Sequence, residues 1–140
     1  MNGSNDYEVT FPGGVKVEVH YHGLSVVTDQ PPPLGEGTAL SPYDLFFASL
    51  ASCAGFYALR FCQERNISTE GLAVRLGKER DPETKRLVRA SLEVTLPDGF
   101  PEKYRQAILR AVDQCSVKKA LAHPPEIETV LAGVGEVAAV

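Results

Sequence analysis

From Tyr7 onward apolar and polar positions alternate, Tyr7, Val9 and Phe11 against Glu8 and Thr10, the two-residue period of a strand with one side turned to a core. Pro12, Gly13 and Gly14 then reverse the chain. Val15, Val17, Val19 and Tyr21 next fall on one face and Lys16, Glu18, His20 and His22 on the other, so the pattern predicts a hairpin. Leu24 to Thr28 is predicted as a third strand. Asp29 to Leu40 holds Pro31, Pro32, Pro33, Gly35 and Gly37 and is predicted to be a loop, because neither regular structure tolerates that density of proline and glycine.

Ser41, Pro42 and Asp44 signal the start of a helix: a hydroxyl cap, a proline at the first helical position and an acid placed for a capping box. The helix is predicted to run to about Asn66. Between Leu45 and Leu59 it carries no charged residue, so no face is obviously meant for water. That run is shorter than the roughly twenty residues a bilayer requires, which predicts burial by protein rather than lipid. Ala48, Ser49, Ala51, Ser52, Ala54, Gly55 and Ala58 would let another backbone approach closely. A chain of 140 residues has little material with which to surround such a helix, so a homodimer burying it jointly is expected.

Alternation resumes at Leu72, Val74 and Leu76 and again from Val88 through Ala90, Leu92, Val94 and Leu96, giving two strands. The charged connection Glu79 to Arg86, with Asp81 and Pro82, reads as an exposed hairpin loop. A second helix is predicted from near Pro101, with Tyr104, Ile108, Ala111, Val112 and Cys115 on its inner face. Val117 to Ala122 continues as a short helical turn until Pro124 and Pro125, and Ile127 to Leu131 is a last strand. The length suits one domain spanning 1–140.

Composition narrows the function. Charged residues make up 23% and the net charge is −4 without a basic block, which argues against nucleic acid as a partner. The start of the chain lacks a basic and apolar leader, and three cysteines are an odd count, so a cytoplasmic protein with reduced thiols is expected. No membrane partner is implied. His20 and His22 share a strand face, but no third metal ligand lies near them in sequence, so no metal site is assigned. Glycine-rich nucleotide loops, Cys-x-x-Cys and serine nucleophile elbows are absent, and no cofactor is implied.

The remaining chemistry lies in cysteine. Cys53 is in the middle of the apolar helix and Cys115 on the inner face of the next, so the two meet if those faces pack. Cys62 follows Cys53 by nine residues, which at about 100° per residue puts it on the opposite side and makes it a packing residue. No helix N-terminus adjoins Cys53 in sequence, and Arg60 is two turns away. Lys118 and Lys119 follow Cys115 closely, and a break near Ser116 would leave Cys115 at a helix start. Local chemistry thus makes Cys115 the better activated thiol. His123 is a loop histidine that could orient a thiol.

The segment SPYDLFFASLASC from Ser41 to Cys53, the later QCSVKKAL around Cys115 and the preceding TDQPPPLGEG resemble the OsmC and Ohr superfamily, the osmotically inducible and organic hydroperoxide resistance proteins. The resemblance covers most of the chain. It implies an α+β fold, an intertwined homodimer with antiparallel sheets around two long central helices, and an active site at each subunit boundary. It also implies a thiol peroxidase acting on an organic hydroperoxide. Cys53 matches the peroxidatic cysteine and Cys115 the resolving one, their disulfide being reduced by an external dithiol. This assigns the nucleophile opposite to the local reading. Peroxidase members of that superfamily carry a glutamate ten residues before the first cysteine, where this chain has Tyr43, and an early arginine, where the first arginine here is Arg60. Arg60, Tyr43 and Glu36 are the candidates for supporting the thiolate. Non-enzymatic binding of a hydrophobic small molecule and redox sensing are the alternatives.

Overall fold

A computed structural model describes residues 5–133 and 137–138; residues 1–4, within the polar start of the chain, lie outside it. The fold is α+β. Two compact units, Met1–Ser49 and Leu50–Val140, share the helix α1 (Pro42–Glu64), which runs from the first into the second.

The first unit contains an antiparallel meander of β1 (Glu8–Gly13), β2 (Lys16–Tyr21) and β3 (Leu24–Thr28). Its second turn is two residues long, and His22 and Gly23 both take left-handed backbone (φ 50° and 75°), which matches the twist of the flanking strands. His22 therefore belongs to the turn and not to the strand face it was predicted to share with His20. His20 instead bonds Thr10 Oγ1 at 3.0 Å. Pairing aligns Val9, Val19 and Val26 in one row and sets Tyr21 opposite Leu24, with Tyr7 stacked on Tyr21 at 4.0 Å. Val9, Leu24 and Val26 on this apolar face are nevertheless exposed.

The loop after β3 is organised by Asp29, which is 1% exposed. Its carboxylate accepts bonds from the amide of Gln30 at 2.8 Å and from the amide and hydroxyl of Thr38 at 3.1 and 2.8 Å. Those backbone donors, first Thr38 and then Gln30, hold the carboxyl down at a pKa of about 2. Gly35 packs so tightly inside this loop that a Cβ would fall 2.2 Å from the Gln30 carbonyl oxygen. Helix α1 starts as its sequence signals require: the Ser41 hydroxyl accepts from the Asp44 amide at 3.1 Å and donates to the Asp44 carboxylate at 2.9 Å.

In the second unit β4 (Ala73–Arg80) and β5 (Leu87–Thr95) form a hairpin with Val74 opposite Val94 and Leu76 opposite Leu92. A 3₁₀ turn at Glu102–Tyr104 leads into α2 (Arg105–Val112), and after a break α3 (Ser116–Ala122) follows. The second predicted helix thus ends at Val112, which leaves Cys115 in the break rather than on its inner face, and α3 is the short helical turn predicted at Val117 to Ala122. The strand predicted at Ile127 to Leu131 is β6 (Thr129–Val130), shorter than expected, and it is not the last, since it pairs with β7 (Val137–Ala138). Ala54, Ala58, Phe61 and Cys62 of α1 form the core with Phe100, Ile108 and Val112, while Val74, Leu92 and Val94 pack against it from the hairpin.

Helix α1 ends two residues before the predicted limit. Asn66 takes left-handed backbone (φ 53°), and the amide of Ile67 bonds back to the Cys62 carbonyl at 2.9 Å, a C-terminal closure that asparagine accepts more readily than most residues. By length and composition alone α1 is apolar enough to cross a membrane. Its stripe Leu50, Ala54, Ala58 and Phe61 is buried in protein, whereas Phe46, Phe56 and Leu59 are exposed, Phe56 by 54%. The expectation that no face would meet water is therefore met along one side only within a single chain.

Candidate functional site

The site begins with small residues on α1. Alanine at 54 and 58 lets α2 and the following break come close to the helix axis, and Cys53, beside that stripe, is only partly buried. Cys115 closes the break after α2 and is fully buried. It is the N-cap of α3: its backbone is extended (φ −47°, ψ 124°) and its sulfur accepts from the Lys118 amide at 3.5 Å. The first amides of α3 then have no partner inside their own helix.

Those amides turn to Cys53. Burial alone would push the Cys53 thiol up, but a hydrogen bond from the Cys115 thiol and bonds from the amides of Val117 and Ser116 outweigh it, and the net shift is downward. Cys115 moves the other way. Burial raises it, its hydrogen bond to Cys53 raises it again, and the amides of Lys118 and Val117 only partly compensate. The two sulfurs are thus shifted in opposite directions, and of the pair Cys53 is the readier to ionise. Both cysteines are free thiols.

This corrects the local reading in two respects. The break near Ser116 is present, yet the helix start it creates serves Cys53, far away in sequence, rather than making Cys115 the more acidic thiol. The ammonium groups of Lys118 and Lys119 do not reach a sulfur, because Lys118 Nζ pairs with Asp113 and Lys119 Nζ bonds Gln114 Oε1 at 2.7 Å. What sequence reasoning missed is the pair of backbone donors at Ser116 and Val117. The signal was a cysteine at an N-cap position, which frees amides without saying where they point.

Cys62 is fully buried in the core, and burial raises its thiol, with Arg65 opposing weakly. It is a packing residue, as its helical position predicted. Arg60 bonds Gln63 Oε1 and Glu64 Oε1, each at 3.1 Å, so its guanidinium is held further along α1 and away from Cys53. In the first unit Glu36 is paired with Lys16 at 3.0 Å, and Tyr43 packs against Phe46 and Phe47. His123 caps the end of α3 through its amide, which bonds the Lys119 carbonyl at 3.0 Å. Among the described residues no cluster of three or more His, Cys, Asp or Glu forms a metal site.

A groove of about 430 Å³ lies on the same unit, lined by Leu50, Leu92, Val94, Leu109, Val112 and Leu121 together with Asp113 and Lys118. Leu50 is one helical turn before Cys53, and Val112 and Lys118 flank Cys115 by three residues on either side. The recess is thus lined by near sequence neighbours of Cys53 and Cys115 rather than by the two thiols themselves.

A model of the OsmC-like protein family matches residues 35–130, and the chain belongs to that family. Solved structures agree on the fold. A Psychrobacter arcticus 273-4 protein ascribed to the osmotic stress and detoxification response is 23% identical with a TM-score of 0.69, covering 86% of this chain and 90% of its own. An OsmC-like protein from Mycoplasma pneumoniae is 14% identical with a TM-score of 0.64, covering 89% of this chain and 91% of its own. A Legionella pneumophila protein described as an organic hydroperoxide resistance protein OsmC and redox protein is 20% identical with a TM-score of 0.51, covering 86% and 90%. A comparison with curated protein sequences gave no match.

Proposed function

We propose that this protein is a thiol-dependent peroxidase that reduces organic hydroperoxides, with Cys53 as the attacking thiolate and Cys115 as the thiol that resolves it. The observation that carries this reading is the pair of free cysteines joined by a hydrogen bond, with the Cys53 thiol pushed down and the Cys115 thiol pushed up. A low-lying thiolate is the nucleophile such chemistry needs, and a neighbouring thiol is what converts a sulfenic acid to a disulfide. An external dithiol then restores both thiols, which suits a reducing compartment such as the cytoplasm. The apolar groove favours a substrate with an organic tail. A homodimer belongs to the same reading, since the exposed apolar faces of the meander and of α1 call for a second layer.

Stopped-flow mixing with cumene hydroperoxide tests the activity. The parent protein consumes the peroxide and forms a Cys53 to Cys115 disulfide, and the Cys53→Ser protein does neither. Unchanged consumption by Cys53→Ser would refute the assignment.

A second reading, binding of a hydrophobic small molecule without turnover, is favoured by the engagement of Arg60 with Gln63 and Glu64, which leaves Cys53 without a guanidinium partner from this helix. Thiol titration separates the two: under binding alone, Cys53 and Cys115 both stay reduced after a stoichiometric peroxide.

A further inference from the structure

A second recess lies on the unit that holds the thiol pair, and the thiol chemistry makes no use of it. It is a groove of about 520 Å³ between α1 and α2, with Phe56, Tyr57 and Phe61 contributed by one helix and Ala107 and Ala111 by the other. Aromatic rings facing alanines give an apolar slot of small-molecule size.

What sets this groove apart is its charge. Three of its lining residues are arginines, Arg60, Arg65 and Arg110, and one is an acid, Glu64. Glu64 is already engaged with Arg60 at 3.1 Å, which offsets one cation. No acidic side chain among the described residues pairs with Arg65 or Arg110. The whole chain carries a net charge of −4, so two uncompensated guanidiniums in one recess run against its overall balance.

Arg65 is also held in place. Its guanidinium carbon sits 3.6 Å over the centre of the Phe61 ring and 5.5 Å from that of Tyr104, and its Nη1 donates to the Phe61 carbonyl at 3.2 Å. A guanidinium carries five N–H donors in a rigid fork, so most of them are left for a further acceptor. Being ordered in advance, it loses little freedom when it takes an oxyanion. Arg110 comes from α2, so the two cations enter the groove from different helices.

We propose that the groove between α1 and α2 binds a small organic anion, a carboxylate or sulfonate on a flat apolar body, with Arg65 and Arg110 taking the oxyanion and the aromatic wall taking the body. The site uses neither thiol and stands independently of the peroxidase reading. A groove of this volume takes one small molecule rather than a polyanion, in keeping with the lack of a basic block in the sequence. Phe56 is the residue expected to be covered in a dimer, but Arg65 lies about 13 Å further along the chain direction of α1. A second copy that covers Phe56 does not thereby fill the arginine end.

Isothermal titration with 2-naphthoate and its neutral counterpart 2-naphthalenemethanol tests this on the parent, Arg110→Gln and Arg105→Gln proteins. Naphthoate binds at one site per chain, and the alcohol binds about tenfold more weakly or worse. Arg110→Gln lowers naphthoate affinity about tenfold, the scale of one hydrogen bond to a charged group. Arg105→Gln removes the same charge from the same helix, but Arg105 lies outside the groove and pairs with Glu102, so affinity is unchanged. Both arginines are exposed, and both variants fold as the parent does. Equal binding of acid and alcohol, equal losses in the two variants, or parental affinity in Arg110→Gln would overturn the proposal. So would a parent protein that takes up no naphthoate at millimolar concentration, the result expected if a second copy fills the groove instead.

Discussion

Cys115 directs its thiol proton at Cys53 while its own sulfur caps helix α3 through the Lys118 amide at 3.5 Å. The cap frees the amides of Ser116 and Val117, and these reach the same Cys53 sulfur. One short break in the chain thus supplies three donors to one thiol, and the acidity of Cys53 depends on a residue far along the sequence.

The first consequence concerns pH. Because the Cys53 thiol lies below its ordinary value of 9.0, its thiolate is populated at a pH where a free cysteine is still protonated. Iodoacetamide labelling of Cys53 should rise through a midpoint below 9.0, with Cys115 unlabelled until higher pH. Removing the Cys115 donor by Cys115→Ala should move the Cys53 midpoint upward. Mass-spectrometric labelling profiles read both.

Ser116→Pro isolates a single backbone donor. Ser116 is the first residue of α3, where proline is well tolerated, and Cys115 before it already has the extended backbone that a following proline demands. The substitution should preserve the fold by circular dichroism yet raise the Cys53 labelling midpoint by about one to two pH units, since a hydrogen bond to a charged group is worth roughly 1.5–3 kcal/mol.

Cys62→Ala should leave peroxide consumption at the parental rate, because that sulfur belongs to the core cluster rather than to the pair. Stability should fall by about 1 kcal/mol from the small cavity left behind, measured by urea denaturation.

Gly35→Ala should destabilise by about 1–3 kcal/mol, the scale of forced overpacking, because the added Cβ meets the Gln30 carbonyl oxygen at 2.2 Å and an Asp29 carboxylate oxygen at 2.6 Å. Thermal melting reads the loss. Asp29 itself sets an acid limit: its folded value of about 2 lies below the ordinary 3.8, so the stability it contributes is complete above about pH 4 and is lost as pH falls through 2.

The exposed α1 face offers a direct test of self-association. Phe56, more than half exposed in the single chain, is expected to be covered in the dimer, and Phe56→Glu should shift the sedimenting species from dimer to monomer at micromolar concentration.

Most elements were legible from local pattern. The period-two runs located β1, β2, β4 and β5; Ser41, Pro42 and Asp44 located the start of α1, and the small residues around Cys53 marked where close packing occurs. The misreadings share a cause. His22 looked like a strand residue because alternation continued through it, although the turn required left-handed backbone there. Cys115 looked like the stronger acid because helix-start amides lie next to it in sequence. Periodicity and neighbouring residue types determine which segments become helices and strands and which side of each is apolar, because those preferences act over a few residues. The ownership of a proton does not follow from such preferences. It depends on which donors converge on which sulfur, and only the packing of α3 against α1 assigned the amides of Ser116 and Val117 to Cys53.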